Sequence, residues 1–315
     1  MKTNIIHHSD FLNNDLPDKS VQLIIADPPY FEVKGEFDFI WKSFDDYLKD
    51  VEKWVVECKR VLADNGTLFW WGMDRKIAYA QIILDKYLCL IGTPVWEKPS
   101  NPNEWETRRT FPERGAERLL MYSNEMEQTG LEMIMEEYIK PQNPFSLYLT
   151  DEFKKANVSN KEIAKLFPSK TGGMTGCVSN WLNGDNVITE EQYLIIREYL
   201  NNEYLRKEYE DLRKEYEDLR RPFENIYNLT DVFRYSRENN NIIHDTIKPE
   251  KLTRALIQTC SRKNDIVLAP FSGSGTECAM AVKEGRRYIG YDIKKEYVEM
   301  ARKRCAIIEN QGRLF

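Results

Sequence analysis

Long hydrophobic runs, histidine and paired cysteines are scarce in this 315-residue sequence. No stretch approaches the ~18 uncharged apolar residues of a membrane helix, and the first residues lack the apolar core of a signal peptide. Histidine occurs only three times, and the six cysteines include no Cys-x-x-Cys pair, so we expect neither a zinc site nor a disulfide scaffold. These absences favour a protein of the reducing cytoplasm with no membrane partner.

A surplus of positive charge is also missing. The chain has 45 Lys and Arg against 51 Asp and Glu, a net charge of −6 at pH 7. Bulk electrostatic steering therefore argues against nucleic acid, although a local basic face can still bind it. The hydrophobic fraction of 42% is enough for a buried core, and the length predicts a catalytic core with one inserted or appended unit.

Strands alternate with helices at both ends of the chain. The apolar run at 21–26 and those at 67–71 and 87–96 predict strands, and helices are expected over 43–63, ended by Asp64-Asn65-Gly66, and over 77–84. Near the other end, we expect strands at 266–269 and 287–291 and helices at 277–284 and 295–308. This order predicts an α/β fold, in which helices cover both faces of a sheet.

A different composition, richer in Asn, Glu, Lys and Tyr, marks residues 145–240. The heptapeptide KEYEDLR occurs there twice in tandem, and Leu205, Leu212 and Leu219 follow heptad spacing. The spacing predicts a long helix whose narrow apolar seam either packs within the chain or forms a homodimer. We therefore expect a catalytic domain in two parts, 1–144 and 241–315, and an inserted region at 145–240.

The inserted region also contains a candidate helix-turn-helix. Residues 160–167 and 175–182 predict two helices separated by a glycine-containing turn at Gly172-Gly173. In this interpretation Ser179, Asn180 and Lys170 contact DNA, whereas the alternative is an ordinary helical hairpin. Four arginines form a second candidate phosphate-binding cluster, or simply a solvated face: Arg108, Arg109, Arg114 and Arg118.

A glycine-containing loop follows the strand at 266–269. It runs Pro270-Phe271-Ser272-Gly273-Ser274-Gly275-Thr276, and Asp292 ends the next strand. Glycines allow a ligand to approach the backbone there, and an acid at the end of the next strand can accept hydrogen bonds from ribose hydroxyls. No Walker lysine follows Gly275, so the loop favours an adenosine-containing cofactor over a triphosphate; a strand-to-helix turn without a ligand is the alternative.

The tetrapeptide Asp27-Pro28-Pro29-Tyr30 follows the buried strand at 21–26. The prolines stiffen the chain and remove backbone donors. The Asp27 carboxylate and the Pro28 carbonyl can therefore accept both hydrogens of one NH₂ group, while the Tyr30 ring offers a flat surface for a base. A strand end with a simple proline turn is the alternative.

The sequence IADPPY at 25–30 and LAPFSGSGT at 268–276 resemble the two signature motifs of the S-adenosylmethionine-dependent DNA amino-methyltransferases, which methylate N6 of adenine or N4 of cytosine. The order of the two motifs resembles the circularly permuted β class. His8-Ser9-Asp10-Phe11, the RVL at 60–62 with Asn65-Gly66, Trp96-Glu97-Lys98 and the HDTIKP at 244–249 match further family motifs in the same order.

The resemblance implies a Rossmann-like sheet that binds S-adenosylmethionine, and duplex DNA whose target base is flipped out. It places catalysis on Asp27, Pro28, Pro29 and Tyr30. It places cofactor binding on Asp10, Phe11, Lys248, Pro249, Pro270, Phe271, Ser272, Gly273, Ser274, Gly275, Thr276, Asp292 and Ile293. The inserted region occupies the place of the family's target-recognition region, and a cognate restriction enzyme is an implied partner. No metal site is implied.

Two of the motifs depart from the family pattern. The family usually has an acid where this chain has Ala269, which weakens cofactor binding unless another carboxylate such as Asp10 serves instead. Asp245 and Ile247 replace the usual residues of the HPTQKP-like motif, whereas Lys248-Pro249 are retained.

In the family that this chain resembles, an aspartate opening the motif goes mostly with N6 of adenine and a serine with N4 of cytosine. The resemblance therefore favours adenine, with cytosine as the alternative. An RNA or protein amide methyltransferase fits less well, because its usual motif is NPPY and its glycine loop comes first. A DNA-binding regulator that keeps the fold without catalysis is the remaining alternative, which the intact motif disfavours.

Overall fold

The computed structural model describes residues 1–32, 40–73, 76–98, 116–124, 143–169, 175–236 and 248–312. Its strands are β1 (Ile5–His8), β2 (Val21–Ala26), β3 (Leu62–Gly72), β4 (Cys89–Gly92), β5 (Val95–Glu97), β6 (Ala116–Ser123), β7 (Val232–Arg234), β8 (Ile266–Ala269) and β9 (Arg287–Asp292). Its helices are α1 (Phe44–Val61), α2 (Lys76–Leu84), α3 (Pro144–Lys155), α4 (Asn160–Ala164), α5 (Cys177–Leu182), α6 (Glu190–Tyr199), α7 (Tyr209–Leu219), α8 (Glu250–Cys260), α9 (Thr276–Lys283) and α10 (Lys295–Gly312).

The chain divides into two compact units. The first consists of residues 1–129 and 221–315, and the second of residues 130–220. Strand β7 pairs with β5, so residues 232–234 belong to the sheet of the first unit. The predicted boundary at residue 240 therefore does not coincide with the division at residue 220.

The strands of the first unit form one sheet in the order β1-β9-β8-β2-β3-β6-β5-β7, and β4 also pairs with β6. Strands β1, β9, β8, β2 and β3 are mutually parallel, whereas β6 runs antiparallel to β3. Strand side chains point alternately to the two faces. In β2, for example, Ile24 and Ala26 join one buried cluster, and Leu23 and Ile25 join the other.

Helices cover both of these faces. Buried side chains of α1 and α2 pack into the cluster of Ile24, and those of α8, α9 and α10 pack into the cluster of Ile25. The Ser43 side chain caps α1 by accepting a hydrogen bond from Asp46 N. The predicted α/β fold with a Rossmann-like sheet is confirmed.

Two predicted boundaries are wrong. The helix α1 ends at Val61, and Asp64-Asn65-Gly66 lie within β3, because Leu62 already adopts extended backbone. The strand predicted over 87–96 is divided into β4 and β5. Pro94 separates them, and proline has no N–H to donate to a strand ladder.

The second unit has a core of its own, formed by α3 to α7. The two helices of the predicted helix-turn-helix are present as α4 and α5, although Lys170 and Gly172-Gly173 lie outside the described residues. Ser159 and Glu162 form a reciprocal capping box that starts α4. Phe167 after α4 packs edge-on against Trp181 of α5, with ring centroids 5.3 Å apart.

The long heptad helix is a wrong prediction. Leu205 has a φ of 54°, which a right-handed helix does not allow, and α7 begins only at Tyr209. Leu205 and Leu212 are buried within the second unit, whereas Leu219 is 53% exposed. The heptad therefore packs within the chain, and it gives no continuous seam for a homodimer. None of the described helices is long and apolar enough to cross a membrane.

Candidate active site

The two signature loops lie side by side at the centre of the sheet. Strands β2 and β8 are parallel neighbours, and the DPPY motif follows β2 as the glycine loop follows β8. The chain continues from β8 to β9 on one side and from β2 to β3 on the other. The carboxyl ends of β2 and β8 therefore border a topological switch point, the usual ligand site of open α/β sheets.

The glycine loop is a tight turn that leads into α9. Gly273 has a φ of 44° and Gly275 a φ of 76°, both in the left-handed region that favours glycine. A Cβ on Gly275 would lie 2.5 Å from the Cβ of Ala301 in α10, so only glycine allows this close approach. Arg304 of α10 donates a hydrogen bond to Thr276 Oγ1 at 2.9 Å, which ties the loop to that helix.

Asp292 lies beside this loop at the end of β9. Its Oδ2 accepts a hydrogen bond from Gly273 N at 2.9 Å, and its Oδ1 accepts one from Lys294 N at 2.8 Å. A carboxylate oxygen can accept from more than one donor, so Asp292 is chemically suited to accept from ribose hydroxyls. The neighbouring Ile293 is 61% exposed and offers an apolar surface beside this acid.

The other predicted cofactor residues take different positions. Asp10 is exposed and caps a short 3₁₀ turn by accepting from Leu12 N, and Phe11 is buried against Tyr291. Phe271 is half-buried against Trp54 of α1, with ring centroids 4.9 Å apart. Asp10 is therefore available for a ligand at the carboxyl end of β1, whereas Phe11 is a core residue.

The glycine loop fits an adenosine-containing cofactor. Ser272 Oγ is buried and has no hydrogen-bond partner within the described part of the chain, although its backbone N–H donates to Tyr291 O. A buried hydroxyl without a partner is costly, and a bound polar group can satisfy it. Together with the acceptors of Asp292, this atom gives the loop the polar groups that such a cofactor needs.

The Asp27 carboxylate is held by two donors. The Tyr30 hydroxyl donates to Oδ1 at 2.5 Å, and the Lys248 ammonium donates to Oδ2 at 2.7 Å. The Asp27 side chain is 19% exposed, so it can still meet a ligand, whereas Lys248 is only 3% exposed. Lys248, which was predicted to lie beside the cofactor, has its charged end in contact with the DPPY motif.

Asp27 stabilises the protonated forms of both Tyr30 and Lys248. Burial raises the pKa of the Tyr30 hydroxyl, and the Asp27 carboxylate raises it further, so the hydroxyl stays protonated and donates. Burial lowers the pKa of Lys248, but the attraction of Asp27 and Glu117 outweighs it and holds that pKa above its usual value. Lys248 is therefore a permanent cation within about 3 Å of Asp27.

Two further charged residues complete the cluster, and the motifs did not identify their role. Glu117 of β6 lies 3.0 Å from Lys248 Nζ and also forms an ion pair with Lys98, which follows β5. Burial raises the pKa of Glu117, and the cations Lys248 and Lys98 together bring it below its usual value. The alternation of side chains along a strand could have indicated that both residues are buried. Lys98 lies two residues after buried Trp96, and Glu117 lies two residues before buried Leu119.

The sequence motifs also did not identify a second buried carboxyl, that of Glu277. It lies in the first turn of α9, directly after the glycine loop, and is 6% exposed. Burial raises its pKa to about 7, and the charge of Asp27 adds to that effect. Glu277 therefore titrates near neutral pH within reach of the charges of the site.

A small cavity of about 10 Å³ lies beside the Tyr30 ring. Phe31 lines it together with aromatic and apolar side chains of β3 and α2: Trp70, Trp71, Ile77 and Ala80. Trp41, which precedes α1, packs against Tyr47 and Trp54 of that helix, and its indole N–H donates to Asp50.

Some predicted binding residues lie outside the described part of the chain. These are Arg108, Arg109 and Arg114 of the arginine cluster, and His244 to Ile247 of the HPTQKP-like motif. Arg118 of the same cluster is exposed on β6.

Comparisons with known proteins identify the family. The model of the N6/N4 DNA methylase family matches residues 21–303. The DNA adenine methyltransferase YhdJ of Escherichia coli K12 is 25% identical over 310 residues, which cover 96% of this chain and 82% of YhdJ. Two type II methyltransferases are similar to the same degree. M.HinfI of Haemophilus influenzae is 26% identical, and the alignment covers 98% of this chain and 72% of M.HinfI. M1.MboII of Moraxella bovis is 25% identical, and the alignment covers 96% of each chain.

Solved structures agree on the fold. TTHA0409 of Thermus thermophilus, described as a putative DNA modification methylase complexed with S-adenosyl-L-methionine, superposes with a TM-score of 0.52 at 16% identity, covering 96% of this chain and 93% of that one. The cytosine-N4-specific PvuII DNA methyltransferase gives a TM-score of 0.52 at 14% identity, covering 97% and 91%. The chain thus belongs to the N6/N4 DNA methylase family and is an S-adenosylmethionine-dependent DNA methyltransferase.

Proposed function

We propose that this protein methylates N6 of adenine in duplex DNA, and that Asp27 and the Pro28 carbonyl accept the hydrogens of the amine. The observation that carries the proposal is the Asp27 carboxylate. Tyr30 and Lys248 orient it beside the glycine loop, and 19% of its surface still meets solvent. A carboxylate at this position is an acceptor for an extrahelical base.

An exocyclic amine is a poor nucleophile, because its lone pair is conjugated into the ring of the base. Two fixed acceptors draw the nitrogen toward tetrahedral geometry and return that lone pair to it. S-adenosylmethionine supplies a sulfonium methyl group, whose bond to sulfur breaks as the amine nitrogen bonds to its carbon. The amine then loses one proton, for which Asp27 is an acceptor. Positioning is the main contribution of the protein to this reaction.

Adenine is the proposed base for two reasons. An aspartate opens the DPPY motif, which resembles the adenine-specific members of the family, and the relative YhdJ is named a DNA adenine methyltransferase. N4 of cytosine is the second candidate, because both bases present an NH₂ group beside a ring nitrogen acceptor. The PvuII enzyme, named as cytosine-N4-specific, has the same fold.

The second unit is the proposed site of DNA recognition. Helices α4 and α5 have the order of a helix-turn-helix, in which the second helix enters the major groove. Ser179 on α5 is exposed, and the nearby Lys161 and Lys165 are exposed as well. The relatives M.HinfI and M1.MboII are named type II methyltransferases, so a cognate restriction enzyme is the proposed biological partner.

The test is the identity of the methylated nucleoside. DNA is incubated with the full-length protein and S-adenosylmethionine, digested to nucleosides and analysed by mass spectrometry. N6-methyladenine as the sole product is expected. N4-methylcytosine as the main product would overturn the choice of base while leaving the role of Asp27 intact. The Asp27→Ala variant serves as the control for contaminating host methylases.

A further inference from the structure

Behind the DPPY motif, four charged side chains alternate in sign. Asp27 contacts Lys248 at 2.7 Å, Lys248 contacts Glu117 at 3.0 Å, and Glu117 contacts Lys98. We propose that Glu117 and Lys98 are positioning residues for methyl transfer, which act through Lys248 on the Asp27 carboxylate. The inference deepens the proposed function, because it rests on Asp27 accepting the hydrogens of the amine.

Sheet register explains how these residues meet. Glu117 of β6 is paired directly with Trp96 of β5, and Lys98 follows Trp96 by two residues. Side chains two residues apart share a face of the sheet, so Lys98 and Glu117 lie together on the face of the Ile25 cluster. Asp27 continues the same alternation two residues beyond Ile25. One sheet face therefore aligns three of the four charges.

Burial of these charged side chains is energetically costly. The side chains of Lys248, Glu117 and Lys98 are 3%, 8% and 7% exposed. Taking charges out of water costs more than an ion pair usually regains, and apolar side chains of similar volume often serve stability equally well. Stability alone is therefore a weak explanation for this cluster, whereas its direct contact with the DPPY motif supplies a functional one.

The position of Lys248 depends on carboxylates on both sides. Its ammonium lies between Asp27 and Glu117, and it also lies 4.9 Å from the centroid of the Trp71 ring. Without Glu117, the ammonium is drawn toward Asp27 alone and the orientation of that carboxylate changes. A misplacement of about 1 Å at a reacting group can lower a rate about 100-fold.

The experiment compares Glu117→Gln with the double variant Lys98→Met/Glu117→Gln in the full-length protein. The single change leaves Lys98 buried without this carboxylate, so thermal stability falls. The double change removes both charges and returns stability toward the wild-type value. We expect kcat to be lowered about 10- to 100-fold in both variants, with the KM values for S-adenosylmethionine and DNA nearly unchanged.

Glu284→Gln is the matched control. Glu284, after the far end of α9, is also 8% exposed, and it forms an ion pair with Arg254. This variant is expected to lose stability like Glu117→Gln but to keep the wild-type kcat. The inference is overturned if Glu117→Gln keeps the kcat of Glu284→Gln, or if kcat recovers together with stability in the double variant.

The assay counts tritiated methyl groups transferred to DNA on any base, so its outcome does not depend on the choice between adenine and cytosine. Asp27→Ala is measured in parallel. Wild-type turnover in Asp27→Ala would contradict the proposed function itself. An inactive Asp27→Ala beside a fully active Glu117→Gln would contradict only the role of Glu117 and Lys98.

Discussion

Lys248 Nζ lies 2.7 Å from Asp27 Oδ2, although 221 residues separate the two in the chain. Asp27 follows β2 near the amino terminus, and Lys248 directly precedes Pro249, the N-cap of α8. The contact thus joins the two sequence-distant parts of the catalytic unit at the DPPY motif. Because Lys248 is buried, the orientation of this carboxylate is set by the packing of the sheet and α8 rather than by solvent.

Removing the Asp27 carboxylate is expected to abolish most of the activity. In Asp27→Ala the amine loses an acceptor, and loss of one preorganised polar contact typically costs about 10²- to 10³-fold in rate. Methyl transfer to DNA measures the rate, and calorimetry checks that S-adenosylmethionine still binds. Asp50→Ala, which removes a carboxylate bonded to Trp41 and Lys53, is the control and should keep the wild-type rate. Near wild-type turnover of Asp27→Ala would contradict the assignment.

The glycine loop is expected to tolerate no side chain at Gly275. Gly275→Ala places a Cβ 2.5 Å from Ala301 Cβ and keeps a φ of 76°, so strain and overpacking together should lower the free energy of unfolding by about 2–5 kcal/mol. Urea denaturation measures the loss.

Gly285→Ala distinguishes the cost of backbone strain from the cost of overpacking. Its φ of 71° is similar, but nothing lies within 4 Å of the added Cβ, so only the conformational cost of about 1–2 kcal/mol applies. Equal losses in the two variants would show that the contact with α10 does not constrain the loop.

The two signature loops could be predicted from sequence because their chemistry is local. Proline, glycine and a following acid are informative within a few residues of a strand end, and the structure places both loops beside each other. Glu117 and Lys98 could not be assigned in this way, because their contact depends on the register between β5 and β6. The heptad spacing of the leucines gave a wrong prediction, because Leu205 adopts a left-handed backbone conformation that interrupts the expected helix.

Glu277 gives the protein a pH-dependent stability. Burial raises its pKa to about 7, above its usual value of 4.5, so the folded state holds a proton that the unfolded chain has lost. This contribution is fully present below pH 4.5 and disappears as the pH rises through 7. In Glu277→Gln the contribution of residue 277 no longer depends on pH. The free energy of unfolding of the variant should therefore rise by up to about 3 kcal/mol relative to that of the wild type as the pH increases from about 5 to about 8.

The measurement is urea denaturation of both proteins at four pH values spanning that range. The other titrating groups are common to the two proteins, so the difference between their free energies of unfolding isolates Glu277. A difference that stays constant over this range would show that the carboxyl is not held protonated.

Lys161 and Lys165 are expected to contact DNA phosphates. They are four residues apart on α4 and its C-cap, so they share a face of that helix, and both are exposed. In Lys161→Ala/Lys165→Ala, DNA affinity should fall about equally for all sequences. The slope of log K against log salt should decrease by about 2, about one for each lost phosphate contact. Fluorescence anisotropy over a series of salt concentrations measures both quantities.

Lys214→Ala is the control for this prediction, because Lys214 is exposed in the same unit but lies on α7, among the acidic residues of the KEYEDLR repeat. It should leave the salt slope unchanged. If Lys161→Ala/Lys165→Ala also leaves the slope unchanged, α4 does not face the backbone of DNA. Ser179→Ala tests whether the Ser179 side chain contacts a base edge. Loss of such a contact changes the DNA sequence that the protein prefers. It leaves the salt slope unchanged, because hydrogen bonds to bases release no counterions.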